Sequence, residues 1–150
     1  MTTSVLFVCL GNICRSPTAE GVFRHMAAKS GADVICDSAG TSNWHVGRAP
    51  DDRAVRAARS RGIDLSALRA RQVSVADFTR FDLIFAMDRS NLADLEMLRP
   101  AGNATPLALF LDHGPPDGPR DVPDPYYEGN FASVFDLLED ASRTLLRTMS

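Results

Sequence analysis

Residues 4 to 9 read SVLFVC, a run of strand length that is rich in β-formers and lacks the polar alternation of a half-exposed strand. Such a run fits a strand covered on both faces, as in the parallel sheet of an α/β domain. It ends on Cys9 and turns through LGNIC into a segment where Ser16 can cap a helix with Pro17 at its first position. Ala19, Val22, Phe23, Met26 and Ala27 then recur at helical spacing, and Gly31 closes the segment.

The same alternation continues. DVICDS (33–38) reads as a second strand, and APDDRAVRAARSRG (49–62) as a helix with Pro50 and two acids at its start and Gly62 at its stop. SVADFTRF (74–81) reads as a short helix capped by Ser74, FDLIFAM (81–87) as a buried strand, and SNLADLEMLRP (90–100) as a helix stopped by Pro100. ATPLALFL (104–111) is a fourth strand, weakened by Pro106. A long loop follows over 112–127, carrying Pro115, Pro116, Pro119, Pro123 and Pro125. The last helix has Phe131, Val134, Phe135, Leu138, Ala141, Leu145 and Met149 on one stripe. Strands alternating with helices predict an α/β fold. The expected architecture is a single doubly wound, flavodoxin-like domain over 1–150, with a four-stranded parallel sheet and helices on both faces.

Composition narrows the functional classes. The formal net charge of −3 gives no general attraction to nucleic acid, and no apolar run approaches the roughly 20 residues of a membrane span. The N-terminus has no basic leader, so the expectation is a cytoplasmic protein with reduced thiols at Cys9, Cys14 and Cys36. These cysteines show no paired metal-ligand spacing with His25, His45 or His113, so neither a metal nor another cofactor is expected. Fifteen of the sixteen basic residues are arginine; Arg53, Arg56, Arg59, Arg61, Arg69 and Arg71 read best as a solvated face.

The chemistry concentrates at the end of the first strand. Ligands of doubly wound sheets bind beyond the C-terminal strand ends, where Cys9 lies. Leu10, Gly11, Asn12, Ile13 and Cys14 form a tight loop before a helix, and backbone N–H groups so placed cradle an anion. Arg15 adds a guanidinium fork able to grip two oxygens of a phosphate. A helix N-terminus and a neighbouring cation also favour the ionised form of a thiol, so Cys9 is expected to face a bound phosphorus atom as a thiolate nucleophile. A leaving group that needs a proton calls for an acid, and the proline-rich loop offers Asp121 and Asp124.

VCLGNICRSP resembles the signature loop of the low-molecular-weight protein tyrosine phosphatases, Cys-x5-Arg followed by Ser. The resemblance continues in DSAGTSNWHVG (37–47), AMDRSNL (86–92) and DPYY (124–127), and so spans most of the chain. It implies phosphotyrosine hydrolysis through a phosphocysteine intermediate. Cys9 would be the nucleophile, Arg15 the phosphate clamp, and Asp124 the acid that protonates the phenol oxygen and then activates water. Asn12 and Ser38 would hold the loop's shape, Ser16 would stabilise the thiolate, and Trp44, Tyr126 and Tyr127 would flank the cleft. Cys14 would pair with Cys9 as a disulfide under oxidation. The implied partners are tyrosine-phosphorylated proteins, with neither nucleic acid nor membrane. Whether a cognate tyrosine kinase is among them stays open; a monomer is expected, with a weak dimer left open.

Plainer readings exist for each residue. Cys9 and Cys14 could be packing thiols, Arg15 a surface residue, Asn12 and Ser38 turn residues, Asp124 the start of a turn, and Trp44 a core plug. Cys36, in mid-strand, reads as core. Two rival functions frame the expectation. An arsenate reductase on a similar fold needs two further cysteines after the third strand, and residues 82–98 contain none. A phosphate-recognition module without catalysis would not need nucleophile, clamp and acid together.

Overall fold

β1 (Thr3–Cys9) is the hinge of the architecture. In this computed structural model, which describes residues 2–149, β1 pairs in parallel with β2 (Val34–Gly40) on one side and with β3 (Leu83–Ala86) on the other. β4 (Leu107–Leu109) completes a sheet of order β2-β1-β3-β4. Alternate β1 side chains enter different cores, as a period of two requires. Val5, Phe7 and Cys9 pack toward α1 (Arg15–Ser30) and α6 (Phe131–Thr148). Leu6 and Val8 pack toward Phe78, Phe81 and Leu95, the last on α4 (Arg89–Leu98). The expected doubly wound architecture is therefore present, with helices on both faces.

Because α1 leaves β1 toward one face and α4 leaves β3 toward the other, a crevice opens beyond the ends of these two strands. The floor beneath it is aromatic. Phe7 meets Phe23 edge-on with centroids 5.7 Å apart and Phe110 at 5.0 Å, and Phe85 closes on Phe110 at 5.5 Å. Each such pair adds roughly 0.5–1.5 kcal/mol beyond its area burial, so the strand end that carries Cys9 is firmly seated.

Several element boundaries differ from the expectation. α1 starts at Arg15 with Cys14 at its N-cap, so Ser16 lies inside the first turn and is not the cap. Its hydroxyl is used elsewhere, as described below. β2 runs to Gly40, beyond the expected 33–38. The helix expected over 74–81 is confined to α3 (Asp77–Arg80), because the turns before it are closed by bonds from the Asp77, Phe78 and Thr79 N–H groups to the carbonyls three residues back; the Asp77 carboxylate accepts the Ser74 N–H at 2.8 Å. β4 is three residues rather than eight. Pro106 lends only its carbonyl to Ile84 N–H, and a 3-10 turn takes over at Phe110–His113. The proline-rich loop ends in a short helix, α5 (Pro125–Glu128), with Asp124 at its N-cap. α2 spans Asp52–Arg59, capped by Asp51. Among the described residues no helix is long and apolar enough to cross a membrane.

Candidate active site

Cys9 ends β1, and the chain over residues 10–14 curls back above its sulfur. Asn12 donates its backbone N–H to Cys9 Sγ at 3.2 Å, and Ser16 Oγ lies 3.0 Å from the same sulfur. The curl requires Asn12 to adopt φ 58°, a left-handed conformation that asparagine tolerates better than other non-glycine residues when its neighbours hold it there. They do. The Asn12 side-chain amide donates to Ser16 Oγ at 2.8 Å and to Ser38 Oγ at 3.0 Å, and its Oδ1 accepts the Arg71 N–H at 3.0 Å. Ser38 in turn donates to Glu20 Oε1 at 2.7 Å. Glu20 is buried on α1. Burial raises its carboxyl above the usual range, against the lowering effect of hydrogen bonds from Ser38 and Arg24.

Gly40 allows the loop to sit this low. A Cβ there would stand 2.7 Å from the Leu10 carbonyl oxygen. The same carbonyl accepts the Ser42 N–H at 3.0 Å, so loop and β2 end are in direct contact. Gly40 also bridges to Gln72, and Arg71 is fixed by paired 3.0 Å bonds to the fully buried Asp77 and a 3.1 Å bond to Asp37.

Arg15 is only 4% exposed. Its Nη1 donates to Asp88 Oδ2 at 2.6 Å and to the Val122 carbonyl at 3.1 Å, and Nη2 lies 3.6 Å from Asp124 Oδ2. Burial opposes its charge, but Cys9, Asp88 and Asp124 outweigh it and hold the guanidinium above its ordinary value. Asp88 serves twice: Oδ1 caps α4 by accepting the Asn91 N–H, and Oδ2 orients Arg15. Asp124 accepts the Tyr126 N–H at 3.1 Å.

Ten of the thirteen expected site residues line one cleft of about 50 Å³: Cys9, Leu10, Gly11, Ile13, Cys14, Arg15, Trp44, Asp124, Tyr126 and Tyr127, with His45 beside them. Trp44 is 67% exposed, so it is a rim residue and not a core plug, and Tyr127 beside it is 77% exposed. Asn12, Ser16 and Ser38 are buried and do not line the cleft; the Asn12 amide joins the two serine hydroxyls. Asp121 is held by Arg89, whose hydrogen bonds keep its carboxyl below the usual range, and it is not among the cleft's lining residues. Cys14 packs against Ala54 and Phe131, and burial, then the Asp51 charge, pushes its thiol well up. The Cys36 thiol, buried in the core as expected, is pushed up to about 11 by burial.

Sequence reasoning missed Glu20, Asp88 and His45, and placed Arg53, Arg61 and Arg71 on a solvated face. The structure corrects the last reading. Arg71 clamps Asp77 and Asp37, Arg61 pairs with Asp136 and Glu139, and Arg53 pairs with Asp51 and lies over two aromatic rings. A signal existed for Asp88, which immediately follows the apolar run of the third strand at the switch point. One also existed for Glu20, a lone acid four residues after Ser16 within an apolar helical stripe.

The sequence model of the family described as low molecular weight phosphotyrosine protein phosphatase matches residues 4–150. The low molecular weight protein-tyrosine-phosphatase YfkJ of Bacillus subtilis is 43% identical over 97% of this chain and 95% of its own length. The low molecular weight phosphotyrosine protein phosphatase of Schizosaccharomyces pombe is 43% identical over 97% and 96%. The crystal structure of YfkJ superposes with a TM-score of 0.93 over 99% of this chain and 94% of that one. A protein tyrosine phosphatase from Entamoeba histolytica, with Hepes in its active site, superposes with a TM-score of 0.92 at 39% identity, covering 97% of this chain and 96% of its own. With the family model matched over residues 4–150 and both relatives 43% identical over nearly the whole chain, the chain belongs to the low molecular weight protein tyrosine phosphatase family.

Proposed function

We propose that the protein hydrolyses phosphotyrosine monoesters of proteins through a phosphocysteine intermediate on Cys9. The observation that carries this reading is the placement of Cys9, Arg15 and Asp124 around one cleft, with Arg15 Nη2 3.6 Å from Asp124 Oδ2. The phosphoryl oxygens would be held by the guanidinium of Arg15 and by loop N–H groups at the start of α1. Cys9 Sγ, as thiolate, attacks phosphorus in line. The bond to the phenol oxygen breaks, and Asp124 delivers its proton to that oxygen. The Asp124 carboxylate then takes a proton from water as the water oxygen attacks the phosphocysteine. The sulfur leaves as thiolate, met by the Asn12 N–H and the Ser16 hydroxyl. The aromatic rim of Trp44, Tyr126 and Tyr127 suits an aryl ester, whose ring can stack there.

The same reading makes Cys14 the partner of Cys9 under oxidation by a peroxide. Two thiols would give one disulfide, two electrons would reduce the peroxide, and Cys9 would be spared over-oxidation. Action in the cytoplasm is part of this reading.

Peptides carrying phosphotyrosine, phosphoserine or phosphothreonine, assayed with and without chelator, test it. The expected result is phosphotyrosine hydrolysis that chelator leaves unchanged and Cys9→Ser abolishes. Equal turnover of the three esters, or turnover surviving Cys9→Ser, contradicts it.

A further inference from the structure

Arg53 stands outside the cleft, yet it joins the two halves of the site. On one side is Asp51, whose backbone N–H donates to the Ile13 carbonyl of the nucleophile loop at 2.8 Å. The Asp51 carboxylate accepts the Arg53 N–H as a helix cap and grips the guanidinium twice, at Nε (3.0 Å) and Nη2 (3.1 Å). On the other side is α5. Arg53 Nη2 donates to the Tyr126 carbonyl at 3.2 Å, and the guanidinium lies 5.6 Å from the Tyr126 ring centroid and 5.0 Å from that of Phe131. Tyr126 N–H bonds to Asp124 Oδ1, which closes the path from the loop beside the sulfur to the carboxyl across the cleft.

α5 has four residues and ends at Gly129 with φ 72°. A helix so short has no stability of its own, so outside contacts set its position. The Arg53 fork spans the gap with a planar group that bonds and stacks at once, which a lysine cannot do.

Resting on the reading of Asp124 as the proton donor, we propose that Arg53 is a positioning residue. It latches α5 to the N-terminus of α2 and so holds the Asp124 carboxyl over the leaving-group oxygen. Arg53 touches neither phosphoryl group nor nucleophile, so losing it should impair proton delivery and spare phosphate binding.

The test is kcat/KM across aryl phosphates whose phenols run from acidic to basic, with inhibition by inorganic phosphate measured alongside. For Arg53→Met the expected loss is about 10-fold at the most basic phenol, as small displacements of catalytic groups cost up to about 100-fold, with little change at the most acidic. Phosphate inhibition should stay within about 2-fold of the parent, since the Arg15 clamp is untouched. Arg53→Lys should fall between the two. Asp51→Asn, which keeps the cap but releases the fork, should match Arg53→Met, and the double variant should be no worse than either. If Arg53→Met fails to fold, Arg53→Lys and Asp51→Asn decide. An equal loss at every phenol, or no change of slope, overturns the latch. Asp124→Ala runs beside them: a flat series there removes the acid itself, whereas a steep series there with a flat one for Arg53→Met removes only the latch.

Discussion

Ser16 Oγ lies 3.0 Å from Cys9 Sγ and accepts a 2.8 Å hydrogen bond from the Asn12 side-chain amide. With a lone pair engaged by Asn12, its own hydrogen has two targets, the sulfur or the Ala39 carbonyl at 3.4 Å, and the sulfur is the better placed. Ser16→Ala should therefore weaken departure of the sulfur from phosphorus. A hydrogen bond to a charged group is worth about 1.5–3 kcal/mol, so kcat should fall roughly 10- to 100-fold. Burst kinetics should show the loss in breakdown of the phosphoenzyme more than in its formation.

Arg15 is held from behind by Asp88 and the Val122 carbonyl, with its second amino group toward Asp124. Lysine offers no planar fork and leaves part of this buried set unpaired. Arg15→Lys should lower kcat/KM for an aryl phosphate by about 100-fold or more and weaken phosphate inhibition in parallel. Steady-state kinetics with phosphate as competitor checks both.

What could be read along the chain was what lies contiguous in it. The strand to Cys9, the loop and α1 form one unbroken run, so the expected nucleophile and clamp lay within a single stretch of sequence. Asp124 was separable from Asp121 only through the DPYY resemblance, and the structure supplies the physical distinction, the Arg89 pair at Asp121. Ser16 was expected both to cap α1 and to stand by the sulfur; Cys14 takes the N-cap place, and the Ser16 hydroxyl lies 3.0 Å from Cys9 Sγ. Glu20, Asp88 and Arg71 act through partners brought close by the fold. Arg15 meets Asp88 across 73 positions and Asn12 meets Arg71 across 59, distances no local period encodes. β4 starts late, after Pro106, which has no donor for the ladder, and ends early where the 3-10 turn at Phe110–His113 takes over.

Gly40 is a packing requirement of the loop. In Gly40→Ala the new Cβ would press on the Leu10 carbonyl, a backbone atom that cannot move without shifting the loop. Overpacking of this kind costs about 1–3 kcal/mol. Denaturant unfolding should show that loss, and phosphate affinity should fall with it because Leu10 precedes the N–H groups of the cradle.

Asp51 gives a pH signature. Hydrogen bonding to Arg53, opposed by partial burial, holds its carboxyl below the usual range. A depressed carboxyl contributes stability above its unfolded pKa of about 3.9, and that contribution is lost as pH falls through the folded value. Asp51→Asn should therefore lower stability at pH 7 by up to about 1 kcal/mol and make little difference well below pH 3, since the pair is partly solvated and the cap survives. Thermal unfolding across that range checks the sign.

The central claim is that the phosphoryl group passes through Cys9. The direct measurement is to mix Asp124→Ala enzyme with an aryl phosphate whose acidic phenol leaves without a proton, quench in denaturant within the first turnover, and map the phosphoryl group by peptide mass spectrometry. Formation should proceed while water activation is crippled, so the phosphoryl group should accumulate on the Cys9 peptide and vanish in Cys9→Ser. Phenol release in that first turnover with Cys9 unmodified, or with the phosphoryl group on another side chain, would contradict the account.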